Sequence, residues 1–141
     1  MEVPLGFEFI LYKYGPSSFE LSEELTSFCA DSFLDLEVRS PKYGPSYING
    51  DMSDYIVSRF PKTLDRYQKE INFVADQLGT KHVPELERLA TALYVRSKYE
   101  EVTSVKKRVA KIRELKPHVS EDDAATAVNE VENMLSEYSK L

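Results

Sequence analysis

Several residue types and segments are scarce or absent in this 141-residue sequence, and each absence argues against a particular structural feature or location. The single cysteine, Cys29, cannot form a disulfide within the chain, which favours a reducing, cytoplasmic location. No run of about eighteen apolar residues is present, so we expect no membrane span and no membrane partner. The N-terminus has no basic segment followed by an apolar one, so no secretory signal is predicted. Tryptophan is absent, and nine Tyr and seven Phe supply all the aromatic side chains.

Motifs that carry catalytic chemistry are also missing. No phosphate-binding loop, dinucleotide fingerprint or nucleophile elbow occurs. Cys29 falls within an apolar helical pattern and is interpreted as a buried structural thiol. His82 and His118 lie close to prolines and neither neighbours a cysteine, so we predict no metal site and no cofactor. Glu85 and Glu87 are expected on different sides of a helix. The chain is therefore predicted to be non-enzymatic.

The net charge of −6 is unevenly distributed along the chain. Residues 1–60 carry four basic and ten acidic groups, whereas residues 96–116 carry eight basic and three acidic groups. An acidic protein is a poor ligand for phosphate backbones, so we expect no nucleic-acid partner. The basic segment around Lys106 to Arg113 either contacts an acidic partner or, as we favour, pairs with the acidic helix that follows it.

The N-terminal part reads as a strand, a turn and a capped helix. Apolar and aromatic residues on both faces predict a strand from Phe7 to Tyr12, and the sequence Tyr14-Gly15-Pro16 interrupts it. The sequence from Ser17 to Glu20 fits a capping box, with a helix predicted from about Ser18 to Phe33.

Two further strands and five further helices are predicted. Alternation at Leu36–Arg39 indicates a half-buried strand, a turn follows at Pro41–Pro45, and Ser46–Ile48 returns as a second strand. A helix followed by a hairpin resembles the wing of a winged-helix protein, and this remains an alternative for the N-terminal part. A short helix is expected to start at Asp51–Asp54 and to stop before Pro61, and its successor begins at Pro61 and ends at Gly79.

The last three helices are predicted to supply most of the core. They begin near Pro84, at Thr103 or Ser104, and after the N-cap Ser120. Apolar spacing places the following residues on their inner faces: Leu86, Leu89, Ala90 and Leu93, widened by Ala92 and Val95; Val105, Val109 and Ile112; and Ala124, Val128, Val131, Leu135 and Tyr138.

Three short motifs carry a family resemblance: YGPSS after an aromatic strand, the apolar sequence Leu86–Tyr94, and the junction Glu114–Asp123, at the place where the resembling families often carry an LKP-x-x-S-x-E pattern. Together they resemble the Panacea (SocA-like) antitoxin family and the neighbouring YwgA-like family. The resemblance implies a protein partner, either a toxin or a regulatory target, which the chain holds or neutralises. Those families usually begin with a helix before the strand, whereas Phe7 here follows only six residues.

We therefore predict one domain over residues 1–141, mainly α with a small β element (α+β), built from about six helices and two or three short strands. The favoured function is a protein-interaction module of the antitoxin kind, and the alternative is a winged-helix transcriptional regulator. An aromatic group around the two turns is the candidate partner-binding site, although such residues also occur at the edge of an ordinary core. This aromatic group consists of Phe9, Tyr12, Tyr14, Tyr43 and Tyr47.

Self-association is also expected. A strand with apolar side chains on both faces needs cover on both sides, and no preceding helix is available to cover it. An exposed apolar patch of this kind usually marks an interface. We predict a two-fold homodimer that buries the strand and turn region, with Phe9 in the contact.

Overall fold

The computed structural model of the protein describes residues 3–141. Over these residues the chain forms six helices and two antiparallel two-stranded sheets, which confirms the predicted fold class. In chain order the elements are β1 (Ile10–Tyr12), β2 (Gly15–Ser17), α1 (Phe19–Ala30), β3 (Leu34–Ser40), β4 (Gly44–Asn49), α2 (Ser53–Arg59), α3 (Pro61–Leu78), α4 (Val83–Lys98), α5 (Val105–Leu115) and α6 (Glu121–Tyr138).

These elements divide into two compact units. Unit 1 comprises residues 3–8 and Ser18–Asn72, and unit 2 comprises Phe9–Ser17 and Phe73–Leu141. Unit 1 therefore holds the β3–β4 hairpin with α1 and α2, whereas unit 2 holds the β1–β2 hairpin with α4, α5 and α6.

The buried apolar side chains of residues 3–141 all belong to unit 2. Helices α4, α5 and α6 and the junction before α6 contribute them. They are Leu89, Ala92, Val95, Val109, Ile112, Val119, Ala124, Ala127, Val128 and Val131. The inner face predicted for α6 is confirmed by the burial of Ala124, Val128 and Val131.

The predicted inner face of α4 is only partly right. Leu89, Ala92 and Val95 are buried, but Ala90 is exposed and 44% of the Leu93 surface is accessible to water. The apolar surface of this helix extends around much of its circumference, so spacing alone does not specify which side faces α5 and α6. Val105, at the start of α5, is likewise exposed rather than inward-facing.

Charged side chains on α5 pair with α6, as the favoured interpretation of the basic segment required. The Arg108 guanidinium contacts the Glu132 carboxylate, which also accepts a hydrogen bond from Arg96 on α4 at 2.8 Å. Arg113 lies 3.4 Å from Glu121. At the start of α4, Glu85 accepts the His82 backbone N–H at 3.0 Å, and this bond lowers the pKa of Glu85 below its ordinary value.

Helix α1 begins one residue later than the predicted capping box requires. Ser17 is paired with Ile10 in the sheet, so Ser18 becomes the N-cap and accepts the Leu21 N–H at 3.3 Å. The helix ends at Ala30 rather than Phe33, because Ser32 adopts a left-handed conformation with φ of 59°. Cys29, predicted as buried, is only partly buried in α1.

The strand predicted from Phe7 to Tyr12 is shorter in the structure. β1 begins at Ile10 because its partner β2 is only three residues long, and the next residue, Ser18, is already the N-cap of α1. The predicted interruption at Tyr14-Gly15-Pro16 is only partly right, because β1 ends at Tyr12 but Gly15 and Pro16 belong to a second strand. Lys13 and Tyr14 form the turn, and Gly15-Pro16-Ser17 returns as β2.

The β3–β4 hairpin is confirmed, but its predicted half-burial is not. Leu36 pairs with Tyr47, and the register shifts between Glu37 and Ser40. Leu36 is 49% exposed and Val38 is 72% exposed, so the apolar face of β3 lies in water. The prolines and Gly79 delimit α2 and α3 as predicted, yet none of the described side chains of α3 is buried.

Replacing Ser120 with alanine should lower the free energy of unfolding by about 0.5–2 kcal/mol. The Ser120 hydroxyl accepts the Asp123 N–H at 3.1 Å, and alanine leaves that donor to water alone. Thermal unfolding followed by circular dichroism measures the change. Ser136→Ala is the matched control, because Ser136 lies exposed within α6. An unchanged melting temperature for Ser120→Ala would show that the Ser120 hydroxyl does not stabilise the N-terminus of α6.

Candidate functional site

The β1–β2 hairpin presents two tyrosines on a tight turn. Tyr12 pairs with Gly15 across the turn formed by Lys13 and Tyr14. Gly15 has φ of +117°, a conformation that residues with a side chain rarely adopt, so glycine is required here. Tyr12 is 66% exposed and Tyr14 is 73% exposed. The turn therefore holds both rings outward at its tip.

A buried lysine anchors this hairpin. Lys116 ends α5, and only 5% of its side chain is accessible to water. Its ammonium donates to the backbone carbonyl of Tyr12 at 2.8 Å, to the carbonyl of Lys13, and to Glu87 Oε1 at 3.3 Å. A buried ammonium is tolerated when every N–H has an acceptor. Here three acceptors match the three donors.

Glu87 connects this lysine to a histidine. The same Oε1 that accepts from Lys116 lies 3.7 Å from His118 Nε2. The Glu87 side chain is 19% exposed, whereas 64% of the His118 side chain is in contact with water. His118 and Lys116 therefore flank one carboxylate, with the lysine on the buried side and the histidine on the solvent side.

These residues border an open cleft of about 650 Å³, all of it within unit 2. We call it the hairpin cleft. Two leucines supply apolar surface, two tyrosines supply aromatic surface, and four ionisable side chains supply hydrogen-bonding groups. Its lining residues are Leu11, Tyr12, Lys13, Tyr14, Glu87, Leu115, Lys116 and His118.

The aromatic group predicted from the sequence is split between the two units. Tyr12 and Tyr14 line the hairpin cleft, and Phe9 precedes β1 in the same unit without lining it. Tyr43 and Tyr47 belong to the β3–β4 hairpin of unit 1, where they are 49% and 50% exposed. All five side chains are exposed, Phe9 least at 39%.

Sequence reasoning missed Glu87, Lys116 and His118 as parts of a site. Lys116 follows Val109 and Ile112 at helical spacing, so it continues the apolar stripe of α5. A lysine on the inner face of a helix is a sequence signal for a buried, functional or anchoring charge. The sequence instead favours interpreting Lys116 as a cation at the helix end, because Pro117 follows it.

Metal binding and membrane insertion have no structural counterpart among residues 3–141. In that range no three His, Cys, Asp or Glu side chains are grouped so that they could hold a metal ion. Nor does any helix there combine the length and the apolar composition that a membrane crossing requires.

Comparison with known proteins gave no match: no protein-family profile, no curated protein and no solved structure is similar to this chain.

Proposed function

We propose that this chain is a protein-interaction module that binds an extended segment of a protein partner in the hairpin cleft. The observation that carries the proposal is the pair of exposed tyrosines, Tyr12 and Tyr14, held beside the cleft by Lys116. Tyrosine is enriched at interface positions that dominate binding energy. Rings on an anchored turn lose little conformational freedom when a partner binds.

The composition of the cleft suits a peptide. Leu11 and Leu115 provide apolar surface for side chains, while His118 and the tyrosine hydroxyls provide donors and acceptors for a backbone. The remaining aromatic residues, Phe9, Tyr43 and Tyr47, are proposed as further contacts with the partner. In agreement with the family resemblance, we propose that the partner is a toxin or a regulatory target that this chain holds or neutralises.

The proposal is non-enzymatic because the two most buried ionisable groups of the cleft, Lys116 and Glu87, are engaged with each other. The three N–H groups of Lys116 are all donated, so this side chain has no free group for a substrate. Glu87 is neutralised by Lys116. Cys29, the one cysteine of the sequence, lies in α1 of unit 1, whereas the hairpin cleft belongs to unit 2.

The charge of α1, the helix that precedes the β3–β4 hairpin, does not support the winged-helix alternative. Helix α1 carries Glu20, Glu23 and Glu24 and no basic residue. A DNA-binding helix requires cations that neutralise phosphates. We therefore propose a protein partner rather than a nucleic acid.

The test is co-expression of the chain with the products of the genes beside its own, followed by calorimetric titration of each purified pair. We expect one neighbouring product to bind and, if it is a toxin, its growth inhibition to be relieved. The double change Tyr12→Ser and Tyr14→Ser should weaken binding by about thirtyfold or more, because each ring is an exposed anchor at the cleft.

The matched control removes two exposed aromatic rings elsewhere. Tyr55 and Phe60 in unit 1 are 53% and 55% exposed, and changing both to serine should leave the affinity within about threefold. Equal losses in the two double variants would show that general apolar area, rather than the hairpin cleft, binds the partner. If the affinity were unaltered after the Tyr12 and Tyr14 changes, the partner would bind somewhere other than the hairpin cleft.

A further inference from the structure

Strand β3 has one paired edge and one edge without a partner strand. Among residues 3–141, β3 is bonded to β4 alone. The Leu36 N–H is donated to the carboxylate of its neighbour Asp35 at 2.7 Å. A backbone N–H already bonded within the ladder would not be available to a side chain, so this N–H lies on the edge away from β4. That edge can accept another strand.

The sheet face next to this edge is apolar and exposed. Leu36, Val38 and Tyr47 lie on one face of the β3–β4 sheet, with Leu36 directly opposite Tyr47. Their exposed fractions are 49%, 72% and 50%. A two-stranded hairpin alone is marginally stable in water, and further strands are needed to give a sheet stability of its own.

The described residues of unit 1 form no buried apolar core that would compensate for this exposure. None of the apolar side chains in residues 3–8 and Ser18–Asn72 is buried. Other large apolar side chains of this unit, such as Phe19 at 74% and Val57 at 53%, are exposed as well. An added strand beside β3 would extend the sheet and place its own side chains in lateral contact with those of β3.

The charges on β3 identify the strand that fits this edge. Glu37 and Arg39 lie before and after Val38 along the strand, on the face opposite to its side chain, and the Arg39 guanidinium contacts the Glu37 carboxylate. When a second β3 lies antiparallel with the two Val38 residues opposite each other, each Glu37 faces the Arg39 of the other copy. Opposite charges in directly facing positions stabilise a sheet, and like charges destabilise it.

Other pairings of two β3 strands are less favourable. Parallel pairing in register places Glu37 beside Glu37 and Arg39 beside Arg39. Antiparallel pairing centred on Glu37 or on Arg39 places that residue opposite its own copy. Only the antiparallel arrangement centred on Val38 satisfies both charges, and it has the two-fold symmetry of a closed dimer.

We propose that two copies of this chain associate through the free edges of β3, forming a four-stranded antiparallel sheet in the order β4–β3–β3–β4. The two-fold axis passes beside Val38. This interface is separate from the hairpin cleft, so it does not depend on the proposed partner function.

Sedimentation velocity of the full chain over 1–100 µM tests the proposal with charge reversals. The single changes Glu37→Arg and Arg39→Glu each place like charges opposite one another at both facing pairs. Each variant alone should dimerise about tenfold more weakly than the unaltered chain. An equimolar mixture of the two variants restores opposite charges at both pairs, so the mixture should form a heterodimer with the original affinity.

Both side chains are well exposed, 65% for Arg39 and 49% for Glu37, so the folding of each variant should be preserved; circular dichroism checks this. Glu23→Arg, an exposed charge reversal in α1, is the control and should leave the dimer intact. An unaltered chain that stays monomeric at 100 µM would overturn the proposal and would mean that Glu37 and Arg39 protect the edge from pairing. A dimer unaffected by both reversals but dissociated by Phe9→Asp would place the contact at the N-terminal strand region instead.

Discussion

Replacing Ile112 with alanine is expected to lower the free energy of unfolding by about 2–5 kcal/mol. Ile112 is 1% exposed and lies in the middle of the α4–α5–α6 core, with buried residues of all three helices in the same cluster. Truncation removes apolar contacts and leaves a cavity that close-packed neighbours fill only in part. Urea unfolding followed by circular dichroism measures the loss.

Leu93→Ala is the matched control for this experiment. Leu93 lies on α4, within the same unit, but 44% of its surface is already in contact with water. Its truncation should therefore cost about 1 kcal/mol or less. Similar losses at Leu93 and Ile112 would contradict the orientation of α4 described above.

Replacing Lys116 with methionine is the second change with a large expected effect, about 3 kcal/mol. Methionine retains most of the side-chain volume but removes the donors that hold the carbonyls of Tyr12 and Lys13 and the charge that neutralises Glu87. Loss of one member of a buried ion pair leaves the other charge uncompensated. Because Glu87 is partly accessible to water, we expect the loss in unfolding free energy to lie at the lower end of the usual range for such changes. Chemical unfolding measures it.

A second substitution separates the two contributions. Adding Glu87→Gln removes the uncompensated carboxylate, so the double variant should regain part of the stability that Lys116→Met loses. Lys106→Met, an exposed lysine on the same helix, should be close to neutral. If Lys116→Met were as mild as Lys106→Met, the lysine would not anchor the hairpin.

The boundaries of the helices after α1 were largely predictable because local chemistry determines them. Pro61 begins α3, Gly79 follows its end, and Ser104 and Ser120 cap the helices after them. Each of these signals acts within one turn of the chain. No distant contact was needed to interpret them.

Strand lengths and helix orientation were less predictable, since both depend on distant residues. Phe7 and Phe9 have the alternation of a strand, but β2 supplies partners only for Ile10 to Tyr12. The rotation of α4 depends on what α5 and α6 present to it. A helix with apolar residues around most of its surface is compatible with either Leu93 or Val95 inward, and Val95 is the one buried.

Of the candidate site, the exposed tyrosines were predictable from local sequence, whereas the contacts between distant residues were not. Tyr12 and Tyr14 could be nominated because glycine and proline next to aromatic residues indicate an exposed turn. The contacts of Lys116 with Tyr12 and Glu87 join residues that are 104 and 29 positions apart. Sequence spacing does not encode such an association, although the place of Lys116 on the inner stripe of α5 indicated that it was buried.

The hydrogen bonds between Lys116 and the β1–β2 turn also determine when this hairpin can become anchored during synthesis of the chain. The hairpin is translated first, yet its anchor lies 104 residues later in the chain. During vectorial synthesis the hairpin must wait without this anchor until residue 116 has left the ribosome, and contacts of such long sequence separation form slowly. Tyr12 and Tyr14 thus reach their final geometry only after Lys116 has been made, and a nascent chain that stops before Lys116 would carry both rings on an unanchored turn.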